Sequence, residues 1–306
     1  ENAYTGQLMK HTEELQQTLF DEMVGRIKQT DMSVPYVLNG YEYFIRFDEG
    51  SEYPVYLRRK VGGSEDEVLL DVPAMAVGHA YYHVTGLTVS PDNRYLAFGV
   101  DSVSRRQYTL HVRDLQSGEV LEESVANTTG RPVWAADNRT LFYVVKDASL
   151  RPYRILSHEL GSGKEDHLVY EESDPTFNAG VYLSKSREYI IISSNSTMSD
   201  EYRTIPADRP SDAPRVFQPR ERGHEHGIDH CNGTFYIRTN WDAQNFRLMR
   251  CEESQTARQA WVEVIAARPD VMVESFELFR DFLGVNERKD SMILLRIITV
   301  AGGEER

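Results

Sequence analysis

The chain has 306 residues, of which 40% are hydrophobic and 27% are charged, and its 34 basic against 48 acidic side chains give a formal net charge of −14. Because nucleic-acid binding depends on neutralising phosphates with cationic side chains, this balance argues against a nucleic-acid partner. The hydrophobic fraction argues against a disordered chain. The longest apolar stretch, residues 292–303, contains Arg296 and is too short to span a membrane, so no membrane partner is expected.

The first feature along the chain is an amphipathic segment over residues 5–29. Apolar side chains recur there every three or four residues, which is the spacing of one face of a helix. They are Leu8, Leu15, Leu19, Phe20, Met23, Val24 and Ile27. The other face is polar, with Lys10, Glu13, Glu14, Gln17, Asp21 and Lys28. The pattern predicts a helix over 5–29 whose apolar face packs against another part of the protein.

From residue 33 onward the sequence repeats one unit: a strand, a tight polar turn, an aromatic-rich strand, a turn and a further strand. The first turn of each unit uses residues that suit two-residue hairpins. The six turns are Asn39-Gly40, Asp92-Asn93, Asp137-Asn138, Ser186-Arg187, Asn232-Gly233 and Arg280-Asp281. Their spacing of 45–53 residues is typical of the four-stranded antiparallel blades of a β-propeller. A β-sandwich would not explain this longer period.

The fold class predicted is therefore all-β, a β-propeller preceded by an N-terminal amphipathic helix. Residues 33–306 accommodate five complete blades and a partial sixth, which stops as its third strand ends. Because each blade of a propeller buries its faces against two neighbours, a closed ring would need more strands than these. We expect the chain to be a truncated part of a longer protein.

The sequence contains no motif for a catalytic nucleophile. No G-x-S-x-G nucleophile elbow occurs in the 306 residues, so we expect neither a catalytic residue nor a cofactor within them.

His224, Glu225, His226 and His230 fall within seven residues. Two histidines at i, i+2 with a carboxylate can bind zinc, which leaves open a metal site or histidines that are structural or solvent-exposed. No fourth ligand is suggested for such a site, so we expect no metal. The two cysteines, Cys231 and Cys251, fall at the ends of the first and third strands of one blade. That separation is too wide for a disulfide, so both are expected to be free thiols.

A pair of arginines, Arg105 and Arg106, falls in the loop between the second and third strands of the second blade. An exposed pair of this kind is either simply solvated or, in an acidic protein, engaged in an ion pair within the chain or with another domain. We predict that Arg105 and Arg106 form ion pairs with another domain.

Short stretches throughout the chain resemble the prolyl oligopeptidase family of serine peptidases, and its oligopeptidase B (protease II) branch in particular. They occur in colinear order: residues 1–4 (ENAY), 22–28 (EMVGRIK), 33–36 (SVPY), 52–60 (EYPVYLRRK), 104–108 (SRRQY), 168–172 (LVYEE), Asp229-His230 and Asn245-Phe246.

The resemblance implies a seven-bladed propeller docked on a C-terminal α/β-hydrolase domain of the same polypeptide. In that arrangement residues 1–32 pack with the hydrolase domain, and residues 33–306 form the truncated propeller. The family's catalytic Ser, Asp and His fall outside this chain, so the chain itself is expected to be inactive. The resemblance further implies that the complete enzyme cleaves short peptides after Arg or Lys, and that the propeller filters access to the active site by size.

A function of another class remains open, a free-standing propeller that serves as a protein-interaction platform. The helix over 5–29 and the incomplete blade count favour the enzyme, since a self-sufficient scaffold would close its ring. The dipeptidyl-peptidase branch of the superfamily is not expected, because neither a membrane anchor nor an amine-binding glutamate pair is seen in its expected context.

Two expectations concern the chain outside its enzyme. Without the hydrolase domain, the apolar face of the N-terminal helix should promote self-association of the chain. No signal peptide is visible in the 306 residues, so a cytoplasmic location is expected, with the periplasm as the alternative.

Overall fold

The structure is a computed structural model that describes residues 1–299. By its internal contacts the chain divides into two compact units, Glu1–His79 and Ala80–Arg306, and each is described by itself. Among the described residues, no helix combines the length and the apolar character needed to cross a bilayer.

The first unit begins with a helical segment that differs from the predicted helix. It consists of α1 (Asn2–Met9), a 3-10 turn (Lys10–Thr12) and α2 (Glu13–Gly25). The prediction of one continuous helix over 5–29 was therefore wrong in its bounds: the helix starts earlier, is interrupted, and ends four residues sooner.

Local hydrogen bonds explain the interruption. The Thr12 hydroxyl donates to the Met9 carbonyl oxygen at 2.6 Å, and the His11 ring nitrogen lies 2.8 Å from the Leu8 carbonyl oxygen. Such side chains compete with the helical ladder for backbone groups. At the other end α2 stops at Gly25, a residue of low helix propensity.

A single antiparallel sheet completes the first unit. Its strands are β1 (Asp31–Met32), β2 (Tyr36–Leu38), β3 (Tyr41–Phe47), β4 (Val55–Lys60) and β5 (Asp66–Asp71), followed by the short helix α3 (Val72–Met75). Both β1 and β2 pair with β3, and β4 and β5 follow in order. The buried side chains of Phe44, Val55 and Leu57 form its core. We call this sheet blade 1.

The second unit continues the same pattern in five further blades. Blade 2 is β6 (His83–Val89), β7 (Tyr95–Asp101), β8 (Tyr108–Asp114) and β9 (Val120–Thr128); blade 3 is β10 (Val133–Trp134), β11 (Thr140–Lys146), β12 (Pro152–Glu159) and β13 (His167–Glu171). Blade 4 is β14 (Asn178–Leu183), β15 (Tyr189–Asn195), β16 (Asp200–Pro206) and β17 (Arg215–Gln218); blade 5 is β18 (His226–Cys231), β19 (Thr234–Thr239), β20 (Arg247–Glu252) and β21 (Val262–Ile265), with a 3-10 turn (Arg258–Ala260) before β21. Blade 6 is β22 (Met272–Leu278), β23 (Phe282–Lys289) and β24 (Met292–Thr299).

Blades 2 to 6 are antiparallel meanders in sequence order, as the repeat predicts, whereas in blade 1 the short strands β1 and β2 both pair with β3. One residue pair, Thr128 with Val145, joins the ladders of blades 2 and 3. Within residues 1–299, blade 1 has five strands, blades 2 to 5 have four each and blade 6 has three. The prediction that the sixth blade lacks its fourth strand extends into residues 300–306, which lie outside the described residues.

The predicted first turns are confirmed as two-residue hairpins in blades 1 and 5 only, where Asn39-Gly40 and Asn232-Gly233 have positive φ at both residues. Asn93, Asn138 and Arg187 also have positive φ but lie in five-residue loops, so the two-residue prediction was wrong there. Arg280 and Asp281 of the sixth turn lack a positive φ. The polar turns therefore fix the register of the strands on either side.

In the second unit, neighbouring blades share apolar cores. One buried cluster joins Phe142 and Ile155 of blade 3 to Ile190 and Ile205 of blade 4. Equivalent clusters join blade 2 to 3, 4 to 5 and 5 to 6. Because burial of a large apolar side chain contributes about 1.5–3 kcal/mol, these shared faces hold the blades together.

The meander topology gives the second unit two distinct ends. Loops between the first and second strands, and between the third and fourth, lie at what we call the hairpin end. Loops between the second and third strands, and the connections from one blade to the next, lie at the opposite, inter-blade end.

Candidate functional site

The inter-blade end of the second unit carries the loop of Arg105 and Arg106. The loop follows β7, and its backbone is organised by Asp101, which is 1% exposed. The Asp101 carboxylate accepts backbone N–H groups from Val103, Arg105 and Arg106 at 2.9, 3.0 and 2.7 Å. Several amide donors on one buried carboxylate fix the loop in place, so the position of the arginines is set by the fold.

Both arginine side chains extend into solvent from this fixed loop. The Lys146 ammonium donates to the Arg106 carbonyl oxygen, which ties the loop to blade 3. Burial and the nearby charge of Arg106 lower the pKa of Lys146. Within residues 1–299, no hydrogen bond or ion pair engages either guanidinium of the pair. The two cations are therefore presented together, and whether they pair with another domain stays a prediction.

A buried charged cluster lies at the same end, between blades 3 and 4. Glu172, which is 3% exposed, directly follows β13. Its carboxylate pairs with Arg220 at 2.5 Å and accepts hydrogen bonds from Tyr170 Oη at 2.6 Å, from the Asp174 amide at 2.9 Å, and from the Ser194 hydroxyl. Burial alone would raise the pKa of Glu172, but these bonds outweigh it and lower the pKa to about 2.

The partner side chain, Arg220, follows β17 and is itself held on several sides. Its guanidinium carbon lies 3.5 Å from the centre of the Phe177 ring, and the guanidinium donates to Ser194 Oγ at 2.8 Å. Its backbone N–H donates to Glu201 at 3.0 Å. The cluster thus joins two inter-blade connections and makes this end rigid. Sequence reasoning missed it, because Glu172 followed by Asp174 reads as an ordinary polar loop.

The histidines of the predicted cluster are divided between the two ends. His224 and His226 lie at the inter-blade end with their rings stacked, 4.5 Å apart at 9°. Burial, together with the charges of His224 and Arg258, lowers the pKa of His226 to about 3, so its ring is neutral. His230 lies near the opposite end of β18 and is fully buried. The three rings therefore do not form one cluster.

The cysteines occupy the predicted strands. Cys231 ends β18 and Cys251 lies in β20, and the strand β19 separates them. Both are free thiols.

Comparison with known proteins identifies the family. The model of the N-terminal β-propeller domain of prolyl oligopeptidases matches residues 1–305. The chain belongs to this family. Its fold class is accordingly the all-β propeller with an N-terminal helical segment, as the sequence predicts.

Several members of the prolyl oligopeptidase family are similar over the whole chain. Dipeptidyl aminopeptidase BI of Pseudoxanthomonas mexicana is 42% identical, covering 100% of this chain and 45% of the relative. Protease 2 of Moraxella lacunata is 28% identical, covering 97% and 44%. The solved structure of oligopeptidase B from Leishmania major superposes with a TM-score of 0.93 at 26% identity, covering 99% and 45%.

The chain spans somewhat less than half the length of these relatives. They are peptidases, so the comparisons do not favour a free-standing interaction platform.

Proposed function

We propose that this chain is the propeller part of a serine peptidase that cleaves short peptides after Arg or Lys. In this proposal the catalytic residues belong to an α/β-hydrolase domain later in the same polypeptide, and the propeller limits access to them. The observation that carries the proposal is the match to oligopeptidase B over 99% of this chain and only 45% of that protein.

The topology of the second unit supports a catalytic domain at the inter-blade end. Every fourth strand of a blade runs toward that end, so a domain that follows the last blade joins the propeller there. The fixed loop of Arg105 and Arg106 lies at the same end with both guanidinium groups in solvent. These cations form interdomain ion pairs with carboxylates of the catalytic domain.

Residues 1–32 supply a second contact with the catalytic domain in this proposal. Leu15, Phe20 and Met23 on α2 are 57%, 58% and 59% exposed. Large apolar side chains gain stability only when they are buried, so this face suits a partner surface.

The net charge favours cationic peptides. A protein with a formal charge of −14 attracts basic substrates and accelerates their encounter, most strongly at low ionic strength. This attraction does not determine which peptide bond is cleaved, because that choice belongs to the catalytic domain.

A second candidate is the release of dipeptides from the amino terminus of peptides. The name of the Pseudoxanthomonas relative, which is 42% identical, favours it. The two candidates differ in whether a free amino terminus is required.

One experiment separates them. The full-length protein is given a short peptide with a single internal arginine, either with a free or with an acetylated amino terminus, and products are identified by mass. Cleavage after arginine in both peptides supports the first candidate. Dipeptide release from the free peptide only supports the second, and no cleavage of either contradicts both.

The role of the arginine pair has its own test. The double variant R105Q/R106Q of the full-length protein should lose salt-dependent contacts between the domains and admit longer peptides more readily. The matched control is R139Q/R209Q, which changes two arginines that are 59% and 60% exposed at the hairpin end. Equal size selectivity of both variants and the wild type would contradict the interdomain pairing.

A further inference from the structure

Three potential metal ligands meet at the hairpin end of blades 4 and 5. Glu188 lies in the turn before β15, His230 lies in β18, and Glu253 follows β20. One ligand atom from each lies within 4.8 Å of the other two. The sequence does not suggest this set, because the three residues are separated by 42 and 23 positions.

His230 is held rigidly at the centre of this group. Its side chain is fully buried, with the ring edge-on to Tyr189 at 4.8 Å and close to Phe235 at 4.7 Å. Nδ1 lies 2.8 Å from Ser186 Oγ, and the His230 carbonyl oxygen accepts the Ser186 N–H at 2.9 Å. The ring therefore has one orientation, with Nε2 directed toward Glu253.

The hydrogen bonds of Ser186 involve only one ring nitrogen of His230. Ser186 Oγ accepts the Glu188 N–H at 3.2 Å and lies 3.0 Å from Ser184 Oγ and 2.8 Å from His230 Nδ1. Nδ1 is therefore engaged, whereas Nε2 has no hydrogen-bond partner within residues 1–299 and lies 3.5 Å from Glu253 Oε2.

A second histidine between two carboxylates shows the contrast. His158 places Nδ1 2.7 Å from Asp166 and Nε2 3.0 Å from Glu123, which are hydrogen-bond distances for a protonated ring. Burial opposes the charge there, yet the two carboxylates raise the pKa of His158. At His230 the carboxylates lie farther away: Glu188 is 3.4 Å from Nδ1 and Glu253 is 3.5 Å from Nε2.

A buried ring nitrogen without a hydrogen-bond partner in residues 1–299, with two exposed carboxylates beside the same ring, supplies the donor atoms of a metal site. We propose that His230 Nε2, Glu188 and Glu253 bind a divalent transition metal ion, with Zn²⁺ the best fit. Zinc accepts imidazole nitrogen and carboxylate oxygen, and its catalytic sites have three protein ligands with an open position for water, whereas Mg²⁺ and Ca²⁺ prefer oxygen ligands.

The geometry needs only a small closure of the two carboxylates. Tetrahedral zinc with bonds of roughly 2.0–2.2 Å holds its ligand atoms about 3.4 Å apart. The side chains of Glu188 and Glu253 are 59% and 47% exposed, so they are free to rotate toward the fixed ring. Supporting contacts are already formed: Ser186 orients His230, and Tyr189 Oη donates to Glu253 at 3.0 Å.

A bound ion would join the first turn of blade 4 to two strands of blade 5. Since metal binds the folded arrangement of these ligands and not the unfolded chain, it stabilises the contact between the two blades. The site is independent of the proposed peptidase activity, because it lies at the end opposite to the proposed catalytic domain.

The test uses the full-length protein, stripped with a chelator and dialysed against dilute ZnCl₂. The variants are Glu188→Gln, Glu253→Gln and the double variant, which change only exposed ligands and leave the buried ring intact. The matched control is Glu252→Gln, an exposed neighbour on the same chain segment. Bound zinc is measured by atomic emission, and the unfolding temperature is measured with and without metal.

The proposal predicts that the wild type and Glu252→Gln bind one zinc per chain more than the double variant. It also predicts a zinc-induced rise in unfolding temperature that the double variant lacks, with each single variant binding more weakly than the wild type. Excess Mg²⁺ should not displace the zinc. Equal zinc content in the wild type and double variant, or an equal loss in the Glu252→Gln control, would overturn the proposal.

Discussion

The carboxylate of Glu172 pairs with the guanidinium of Arg220 at 2.5 Å, and this contact joins the connection after blade 3 to the connection after blade 4. The two residues are 48 positions apart in the sequence, which is about one blade repeat. Each also forms a hydrogen bond with Ser194 in β15. The ion pair is thus a brace across the end of the propeller at which we place the catalytic domain.

Replacing Glu172 with Gln should destabilise the protein by roughly 2–4 kcal/mol, since it leaves the Arg220 charge without its partner in a mostly buried site. Urea unfolding measures the change. The control Glu171→Gln removes a carboxylate whose pair with Arg154 is about 40% exposed on both sides, and should cost well under about 1 kcal/mol. Equal effects of the two substitutions would refute the bracing role.

The same carboxylate gives a pH dependence at the acid end. The pKa of Glu172 is about 2 in the folded protein and about 4.3 when unfolded, so its contribution to stability is present above pH ~4.3 and is lost as the pH falls toward 2.

His158 should act in the opposite direction. Its pKa is raised in the folded protein, so its contribution to stability is complete below its unfolded pKa of about 6.5 and is lost as the pH rises through the folded value. As the pH rises from about 6.5 through the folded pKa of His158, the free energy of unfolding should fall more steeply in the wild type than in a His158→Gln variant. Parallel pH profiles would show that the two carboxylates do not hold a charged ring.

Much of this architecture could be predicted from the sequence because its signals are local. The turn residues of five hairpins needed positive φ, and asparagine, glycine and arginine at those positions mark each strand boundary. The helix bounds were missed for a local reason too: Thr12 bonds back to Met9, and periodicity of apolar residues does not register such a break.

Contacts between blades could not be predicted from the sequence. The histidines at 224, 226 and 230 are neighbours in the chain, yet the strand carries His230 to the other end, where its partners Glu188 and Glu253 come from separate turns. Likewise, nothing in the order of residues pairs Glu172 with Arg220. Long-range register, rather than composition, determines which side chains meet.

The two thiols should differ from ordinary cysteines in the folded state. Burial raises the pKa of Cys251 to about 12 and also raises that of Cys231, so neither forms much thiolate at neutral pH. A thiol reagent should react slowly with the native protein and then label both cysteines after denaturation without a reductant. A chain mass that is two mass units below that of the reduced chain, with no labelling, would indicate a disulfide instead.

The exposed face of α2 should make the 306-residue chain self-associate when it is produced alone. Leu15, Leu19 and Met23 are 57%, 46% and 59% exposed, and burying them against another copy recovers about 1.5–3 kcal/mol each at most. Replacing all three with Glu should give a monomer in sedimentation velocity with unchanged far-UV β signal.

The matched control for this variant is Gln16→Glu with Gln17→Glu, which adds charge to the polar positions of the same helix. It should associate like the unmodified chain. A monomer at every concentration for the unmodified chain would rule out this role of the apolar face.

The most direct measurement of the central claim is labelling of the full-length protein with a serine-directed fluorophosphonate, followed by peptide mapping and activity assay. Our account predicts a single labelled serine beyond Arg306, loss of peptide hydrolysis in proportion to labelling, and neither label nor hydrolysis for the chain of residues 1–306. A labelled serine within residues 1–306, or hydrolysis by that chain alone, would contradict it.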